Sequence, residues 1–139
     1  PLSIILESIG KIEQYAECTT PVKDEINNLL PGQYTVLLPA KEHTLSPLVQ
    51  NDSSKIGIRI PSHFFPINLV RLLQKPIITT SINRHGQEAL NDVTQVEINF
   101  PNVNIFEDSS HIHSQGSTII DFSISKPKII RQGDSPYPL

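Results

Sequence analysis

The stretch K-P-I-I-T-T-S-I-N-R-H-G, Lys75 to Gly86, is the most informative part of this sequence, because a short apolar strand in it runs directly into small polar side chains. Residues 76–78 have the composition of a buried strand. The hydroxyl and amide groups that follow belong to Thr79, Thr80, Ser81 and Asn83. Such groups either bond their own backbone in a turn or contact a ligand at the edge of a sheet.

Apolar strands and amphipathic helices alternate along the chain, which is typical of an α/β fold. Strands are predicted near residues 2–6, 33–38, 56–61, 76–78, 103–106, 118–122 and 128–131. Helices are predicted near residues 9–18, 21–30, 64–74 and 93–98, with one further helical turn within 41–54. In the third helix, the residues predicted to face the core are Phe65, Leu69, Leu72 and Leu73.

The size and composition of the chain fit one domain, residues 1–139. The net charge of −3 does not favour a general polyanion binder, because such domains are usually strongly basic. We find no apolar run near the roughly 20 residues that a membrane span needs and no secretory signal, so we expect a cytoplasmic protein with no membrane contact. The single cysteine, Cys18, is predicted to be a packing residue.

A charged residue interrupts another predicted strand, at Arg59 in I-G-I-R-I-P (residues 56–61). Its guanidinium group either lies on the solvated face of an edge strand or faces a polar cleft, where it can bind a carboxylate or phosphate in bidentate fashion. Two later strands, in G-S-T-I-I-D-F-S (residues 116–123) and P-K-I-I-R-Q-G (residues 127–133), also carry polar groups at their ends.

In order and spacing, these segments resemble the YrdC-like family, the threonylcarbamoyl-AMP synthases that begin threonylcarbamoyladenosine formation on tRNA. The segment 1–6 is similar to the strand after the family's Lys-x-Arg motif, and 30–38 is similar to its Pro-Gly-x-x-Thr strand. Four further motifs, Gly-x-Arg-x-Pro, Thr-Ser-x-Asn, Ser-Thr-x-x-Asp and Arg-x-Gly, have counterparts at 56–61, 80–83, 117–121 and 131–133. The resemblance implies a twisted mixed sheet with flanking helices and a concave ligand-binding surface.

Two features of that family are missing from this sequence, its opening Pro-Thr-(Asp/Glu)-Thr-x-Tyr-Gly strand and its Lys-x-Arg motif. We therefore expect the 139 residues to be the C-terminal portion of a YrdC-like domain that is incomplete at its N-terminus. Because one charge-assisted phosphate contact is worth about 1.5–3 kcal/mol, this portion alone is expected to bind ATP at least about tenfold more weakly than an intact domain.

The resemblance implies a nucleotidyltransferase that joins L-threonine, bicarbonate and ATP into threonylcarbamoyl-adenylate and releases pyrophosphate. By position, the residues matched to threonine binding are Arg59, Ser117 and Thr79. No catalytic acid or base is evident, which suits a reaction driven by positioning and electrostatics.

The same resemblance matches other residues to the nucleotide. They are Ser81, Asn83 and Arg131, with Lys55 added because it lies four residues before Arg59. Mg²⁺ is expected to bridge phosphate oxygens. Expected partners are tRNA or double-stranded RNA, and a tRNA threonylcarbamoyl transferase that receives the product.

Several other residues are interpreted as loop or structural residues and not as part of a functional site. His111 and His113 have the spacing of a metal pair but lack a third ligand in register, so we interpret them as a solvated loop. His85 is interpreted as a loop residue, and Asp121 as a carboxylate that orients backbone or an arginine.

Two alternatives to the synthase stay open. One is the carbamoyl-adenylate-handling domain of a hydrogenase-maturation carbamoyltransferase, and the other is a non-catalytic RNA- or nucleotide-binding relative.

Overall fold

The computed structural model describes residues 2–42, 44–50, 53–84, 86–107 and 114–137. Six strands form one mixed sheet in the order β4-β1-β3-β2-β5-β6. The strands are β1 (Ser3–Ile5), β2 (Tyr34–Pro39), β3 (Lys55–Arg59), β4 (Ile77–Thr79), β5 (Thr118–Asp121) and β6 (Lys128–Arg131). The helices are α1 (Thr20–Asn27), α2 (Pro47–Gln50), α3 (Phe64–Leu73) and α4 (Val93–Asn99), with a 3₁₀ helix over Ile9–Gln14. The α/β prediction is confirmed.

The sheet brings together strands that are distant in the sequence. β1 pairs parallel with β3, and β2 pairs parallel with β5, so that Tyr34 lies beside Thr118. The other three pairings, β1 with β4, β2 with β3 and β5 with β6, are antiparallel. Because side chains alternate along each strand, one face of the sheet is apolar and the opposite face carries the polar residues described below.

The apolar face of the sheet forms the core. Ile4, Val36, Ile58 and Ile120 come from four adjacent strands, and each is at most 1% exposed. Ile12 of the 3₁₀ helix and Ile26 of α1 belong to the same buried cluster. The core thus lies between the sheet and the N-terminal helices, which leaves the polar face of the sheet open.

Two predicted elements differ from the structure. The helix predicted over residues 9–18 is a shorter 3₁₀ helix, because Ala16 bridges to Ala40 and the Glu17 amide donates to the Pro39 carbonyl at 2.9 Å. The strand predicted at 103–106 is absent. Val103 and Phe106 are exposed there, and the Phe106 ring lies 5.7 Å from that of Phe65.

The prediction of which face of α3 packs inward is wrong. Val70 is only 5% exposed and Ile67 packs against the core, whereas the predicted inward residue Leu72 is 84% exposed. The other three residues of that stripe, Phe65, Leu69 and Leu73, are also exposed. Both faces of this helix are apolar, so the sequence pattern did not fix its rotation.

The predictions for several smaller features agree with the structure. Asp92 caps α4 by accepting a hydrogen bond from the Gln95 amide at 2.9 Å, as predicted. Cys18 is half-buried against the core, and burial raises the pKa of its thiol although Lys23 opposes that shift. Within the described residues, no helix combines the length and apolarity needed to cross a bilayer. His85, His111 and His113 lie outside the described residues.

Candidate functional site

The polar face of the sheet is the floor of an open cavity of about 480 Å³, which is within the usual size range of small-molecule sites. The floor consists of side chains or Cα atoms that alternate along four neighbouring strands. These residues are Ser3, Thr35, Leu37, Gly57, Arg59 and Ile119.

The walls of the cavity come from segments that follow or precede the strands. One wall is formed by residues 79–82 and 89–91, the polar cluster predicted from the sequence and the loop that returns beside it. The opposite wall consists of residues 114–117 together with Arg131 and Asp134. The backbone amide of Leu90 donates to the Ile82 carbonyl at 2.8 Å, which ties the first wall together.

Arg59 projects from the C-terminal end of β3 into this cavity. Its Nη1 donates to the Thr79 hydroxyl at 3.3 Å, and its Nε is buried without a partner among the described residues. Burial, and to a smaller extent the charge of Arg131, lowers the pKa of Arg59. A guanidinium group that is desolvated but not neutralised by the described residues is suited to bind an anion.

Arg131 and Ser117 form the second polar group of the site. Arg131 Nη2 donates to the Ser117 carbonyl at 2.8 Å and approaches the Ser117 hydroxyl at 3.5 Å. The Ser117 hydroxyl also lies 2.7 Å from that of Thr35. Neither Arg59 nor Arg131 forms an ion pair within the described part of the chain, so both positive charges are available to a ligand.

Gly133 allows the Arg131 segment to approach Ser117 closely. A Cβ atom at Gly133 would lie 2.2 Å from the Gly116 carbonyl oxygen and 2.5 Å from the Ser117 carbonyl carbon. The next amide, of Asp134, donates to the same Gly116 carbonyl at 2.9 Å. The Arg-x-Gly pattern is therefore explained by backbone contact that excludes any larger residue.

The Ser81 and Asn83 side chains bond to each other, but only Ser81 lines the cavity. Ser81 Oγ donates to Asn83 Oδ1 at 2.5 Å, and Asn83 Nδ2 donates to the carbonyls of Arg84 at 3.1 Å and Gln87 at 3.0 Å. All three of these bonds stay within the loop. Asn83 thus braces the wall behind Ser81, and its direct contact with a nucleotide stays a prediction.

Lys55 lies on the same sheet face but at the other end of β3, outside the cavity lining. Its ammonium group donates to Asp121 Oδ2 at 2.7 Å, and Asp121 Oδ1 accepts from both the amide and the hydroxyl of Ser123. Burial would raise the pKa of Asp121, but the bonds from Lys55 and Ser123 together hold it below its ordinary value. In this structure Lys55 has a structural partner, and its predicted role toward nucleotide stays untested. Asp121 orients backbone, as predicted, but its cationic partner is this lysine.

The structure therefore brings five of the seven predicted residues into one cavity, namely Arg59, Thr79, Ser81, Ser117 and Arg131. It also adds residues that the sequence interpretation did not select. Among these are Ser3, whose hydroxyl donates to the Thr79 carbonyl at 3.1 Å, and Thr35, which is bonded to Ser117. Thr35 belongs to the Pro-Gly-x-x-Thr segment, so this motif was the signal that could have identified it.

Two guanidinium groups without an ion-pair partner among the described residues, several hydroxyl groups and the apolar side chains of Leu37 and Ile119 suit a small anionic ligand that also has an apolar part. The fold and the site together define an α/β protein whose sheet carries an open cavity lined by two arginines.

Comparison with known proteins places this fold in a family. The profile of the Sua5/yciO/yrdC family, described as telomere recombination, matches residues 1–133, and the chain belongs to that family. A putative threonylcarbamoyl-AMP synthase of Methanocaldococcus jannaschii is 34% identical across 98% of this chain and 64% of its own length. The threonylcarbamoyl-AMP synthase of Rattus norvegicus is 27% identical across 96% of this chain, and this chain spans 50% of that relative.

Solved structures share the fold at lower identity. E. coli YciO superposes with a TM-score of 0.84 at 22% identity, covering 95% of this chain and 65% of that one. P. abyssi Sua5 complexed with L-threonine gives 0.82 at 23% identity over 96% of this chain and 40% of that one. Full-length HypF in its phosphate- and nucleotide-bound form gives 0.80 at 18% identity over 96% of this chain and 21% of that one. Because the sequence identities to these three structures are low, the similarities show a shared fold only.

Proposed function

We propose that this chain carries the substrate site of a threonylcarbamoyl-AMP synthase, a nucleotidyltransferase that makes threonylcarbamoyl-adenylate and pyrophosphate from L-threonine, bicarbonate and ATP. The observation that carries the proposal is Arg59, a half-buried guanidinium with no carboxylate partner among the described residues, in a cavity of suitable size. The names of the relatives support the same activity.

The overall reaction makes two bonds. The threonine amine attacks the carbon derived from bicarbonate, which forms a carbamate and releases water. A carbamate oxygen then bonds to the α-phosphorus of ATP, and the bond from that phosphorus to pyrophosphate breaks. Each step needs its two reactants held side by side, threonine with bicarbonate in the first and the carbamate with ATP in the second, and correct placement alone can supply a large part of the rate enhancement.

Five of the cavity residues have a part in holding the substrates. Arg59 binds the threonine carboxylate, assisted by Thr79 and by the hydroxyl of Ser117. Arg131 and Ser81 contact the nucleotide, where Arg131 offsets charge on the phosphates. The hydrogen bonds from Arg131 to Ser117 connect the threonine half of the site to the nucleotide half.

Mg²⁺ would be held mainly by the substrate. No group of three or more His, Cys, Asp or Glu side chains suited to a metal occurs among the described residues, and Asp134 is the acidic residue that lines the cavity. This donor set fits a cation that takes most of its ligands from phosphate oxygens and water, as Mg²⁺ usually does. When bound, the ion would neutralise charge on the triphosphate.

Further parts of the proposal concern the cell. The product would pass to a tRNA threonylcarbamoyl transferase in the cytoplasm, and tRNA or double-stranded RNA is the proposed nucleic-acid partner. These partners follow from the proposed activity.

The proposal is tested by incubating the intact protein with ATP, bicarbonate and L-threonine and measuring pyrophosphate release. The matched control omits threonine, and a second control replaces it with L-valine, which has the same shape without the hydroxyl. We expect release that depends on threonine and is weaker with valine. Release that ignores the amino acid, or no release at all, would exclude the synthase.

A second candidate is the handling of carbamoyl-adenylate, because HypF shares this fold across 96% of the chain. Such a site would accept a carbamoyl-adenylate in which no amino acid is attached. In the same assay it would give pyrophosphate with carbamate, supplied by ammonia and bicarbonate, in place of threonine and bicarbonate: a carbamate oxygen bonds to the α-phosphorus of ATP as the bond to pyrophosphate breaks.

A further inference from the structure

Thr35 is held by a hydrogen bond on the hydroxyl branch of its side chain, and its methyl branch lies beside Gly57. Its hydroxyl lies 2.7 Å from the Ser117 hydroxyl, and its methyl group lies 3.3 Å from the point where a Cβ atom on Gly57 would stand. The residue is 4% exposed, and it lies on the cavity floor. Rotation about χ1 would break the contact with Ser117 and remove the methyl group from Gly57.

The hydrogens of this hydroxyl pair can be counted. Thr35 and Ser117 each have one hydroxyl hydrogen, and one of the two lies in the bond between them. Arg131 can only donate, so its approach to Ser117 Oγ uses a lone pair and leaves the hydrogens unaffected. One O–H hydrogen of the pair remains, and it has no acceptor among the described residues.

Arg131 also places this pair near the carboxylate-binding group. Its guanidinium bonds to Ser117, and its positive charge is close enough to Arg59 to contribute to the lowered pKa of that residue. All four side chains line the same cavity. An anion bound on Arg59 would lie in the same cavity as the remaining hydrogen of the pair, which has no acceptor among the described residues.

We propose that Thr35 is a positioning residue, which holds the Ser117 hydroxyl so that the pair directs one O–H hydrogen at the amino-acid carboxylate bound on Arg59. This inference deepens the proposed function and rests on it. Thr35 lies on the central strand β2, and its loss should weaken the binding of threonine.

The test uses Thr35→Val and Thr35→Ser in the intact protein. Valine keeps the methyl contact with Gly57 and removes the hydroxyl, whereas serine keeps the hydroxyl and removes the methyl group. Titration calorimetry with L-threonine should show about 3- to 10-fold weaker binding for the valine variant, the range of one hydrogen bond. The serine variant should bind threonine within about twofold of wild type, and both variants should retain ATP affinity within about twofold.

A double-mutant cycle with Ser117→Ala separates positioning from general packing. If Thr35 acts through Ser117, Thr35→Val causes no further loss of threonine affinity in the Ser117→Ala background. Additive losses would overturn the inference, as would equal weakening by valine and serine or wild-type affinity in the valine variant. If the wild-type protein does not bind threonine, the proposed function fails and this inference fails with it. Thermal unfolding of each variant identifies any effect that comes from misfolding.

Discussion

Replacing Arg59 by methionine should separate substrate binding from folding. The side chain is half-buried, its Nε has no partner among the described residues, and its hydrogen bond to Thr79 is long at 3.3 Å. Methionine retains an unbranched apolar stem of similar length and removes the charge. Burial of the Arg59 guanidinium therefore opposes folding. We propose that the residue is retained because it binds substrate.

The two effects have different magnitudes. Loss of a bidentate pair with the threonine carboxylate should cost about 3 kcal/mol, which is about 150-fold in threonine affinity. ATP affinity should fall less than about tenfold, because Arg131 remains. The free energy of unfolding should stay unchanged or rise by up to about 2 kcal/mol. Removing an unsatisfied buried donor typically stabilises a protein by about 1–3 kcal/mol, and loss of the hydrogen bond to Thr79 opposes this gain by about 0.5–1 kcal/mol.

The sign of the stability change follows from the lowered pKa of Arg59, caused first by burial and then by Arg131. A base whose pKa is lower in the folded state is destabilising while it is charged, and arginine is charged throughout the working pH range. Urea unfolding and calorimetry with L-threonine and ATP measure both effects. Arg71→Met, on the exposed side of α3, is the matched control and should change neither ligand affinity. A loss of more than about 1 kcal/mol in stability, or a larger effect on ATP than on threonine, would refute this account.

Three other substitutions test features of the fold and the cavity. Gly133→Ala should destabilise the protein by at least about 2 kcal/mol in urea unfolding, because its Cβ would overlap backbone atoms, whereas Gly10→Ala has room and should not. Asp121→Asn should cost about 1–2 kcal/mol near pH 7. Since the folded pKa of Asp121 is lowered, its contribution is complete above the ordinary aspartate pKa of 3.8 and is lost as pH falls through the folded value, so the variant should show a flatter stability profile below that ordinary value. An unchanged profile would contradict the assignment. Asn83→Ala should weaken ATP binding by about 3- to 10-fold without affecting threonine, because the Ser81 wall loses its brace. Equal losses for both ligands would instead indicate general loosening.

The strand and helix pattern could be predicted because alternation and apolar runs are local properties of the sequence. Short motifs also identified Arg59, Ser117 and Arg131, which the structure brings together at one cavity. The inward face of α3 could not be predicted in the same way. Phe65 and Leu69 are as apolar as Ile67 and Val70, so the sequence offers two possible stripes and tertiary packing chooses between them.

The contacts within the site needed the structure, because they join residues that are far apart in the sequence. The hydroxyls of Thr35 and Ser117 are separated by 82 positions, and no local pattern predicts that they are bonded. Lys55 shows how sequence proximity and position in the sheet can differ. Proximity to Arg59 in the sequence suggested a shared site, but the sheet register places Lys55 beside Pro39 and its side chain reaches Asp121.

The parallel pairing of β2 with β5 has a consequence for how the proposed substrate site assembles. Residues near 34 meet residues near 118, and the cavity floor exists only once those distant segments have joined. Closing so long a loop is entropically costly and comes late in assembly when non-local contacts dominate. We therefore expect binding competence to appear in a single cooperative step, and fragments that stop short of β6 to have no measurable affinity for either substrate.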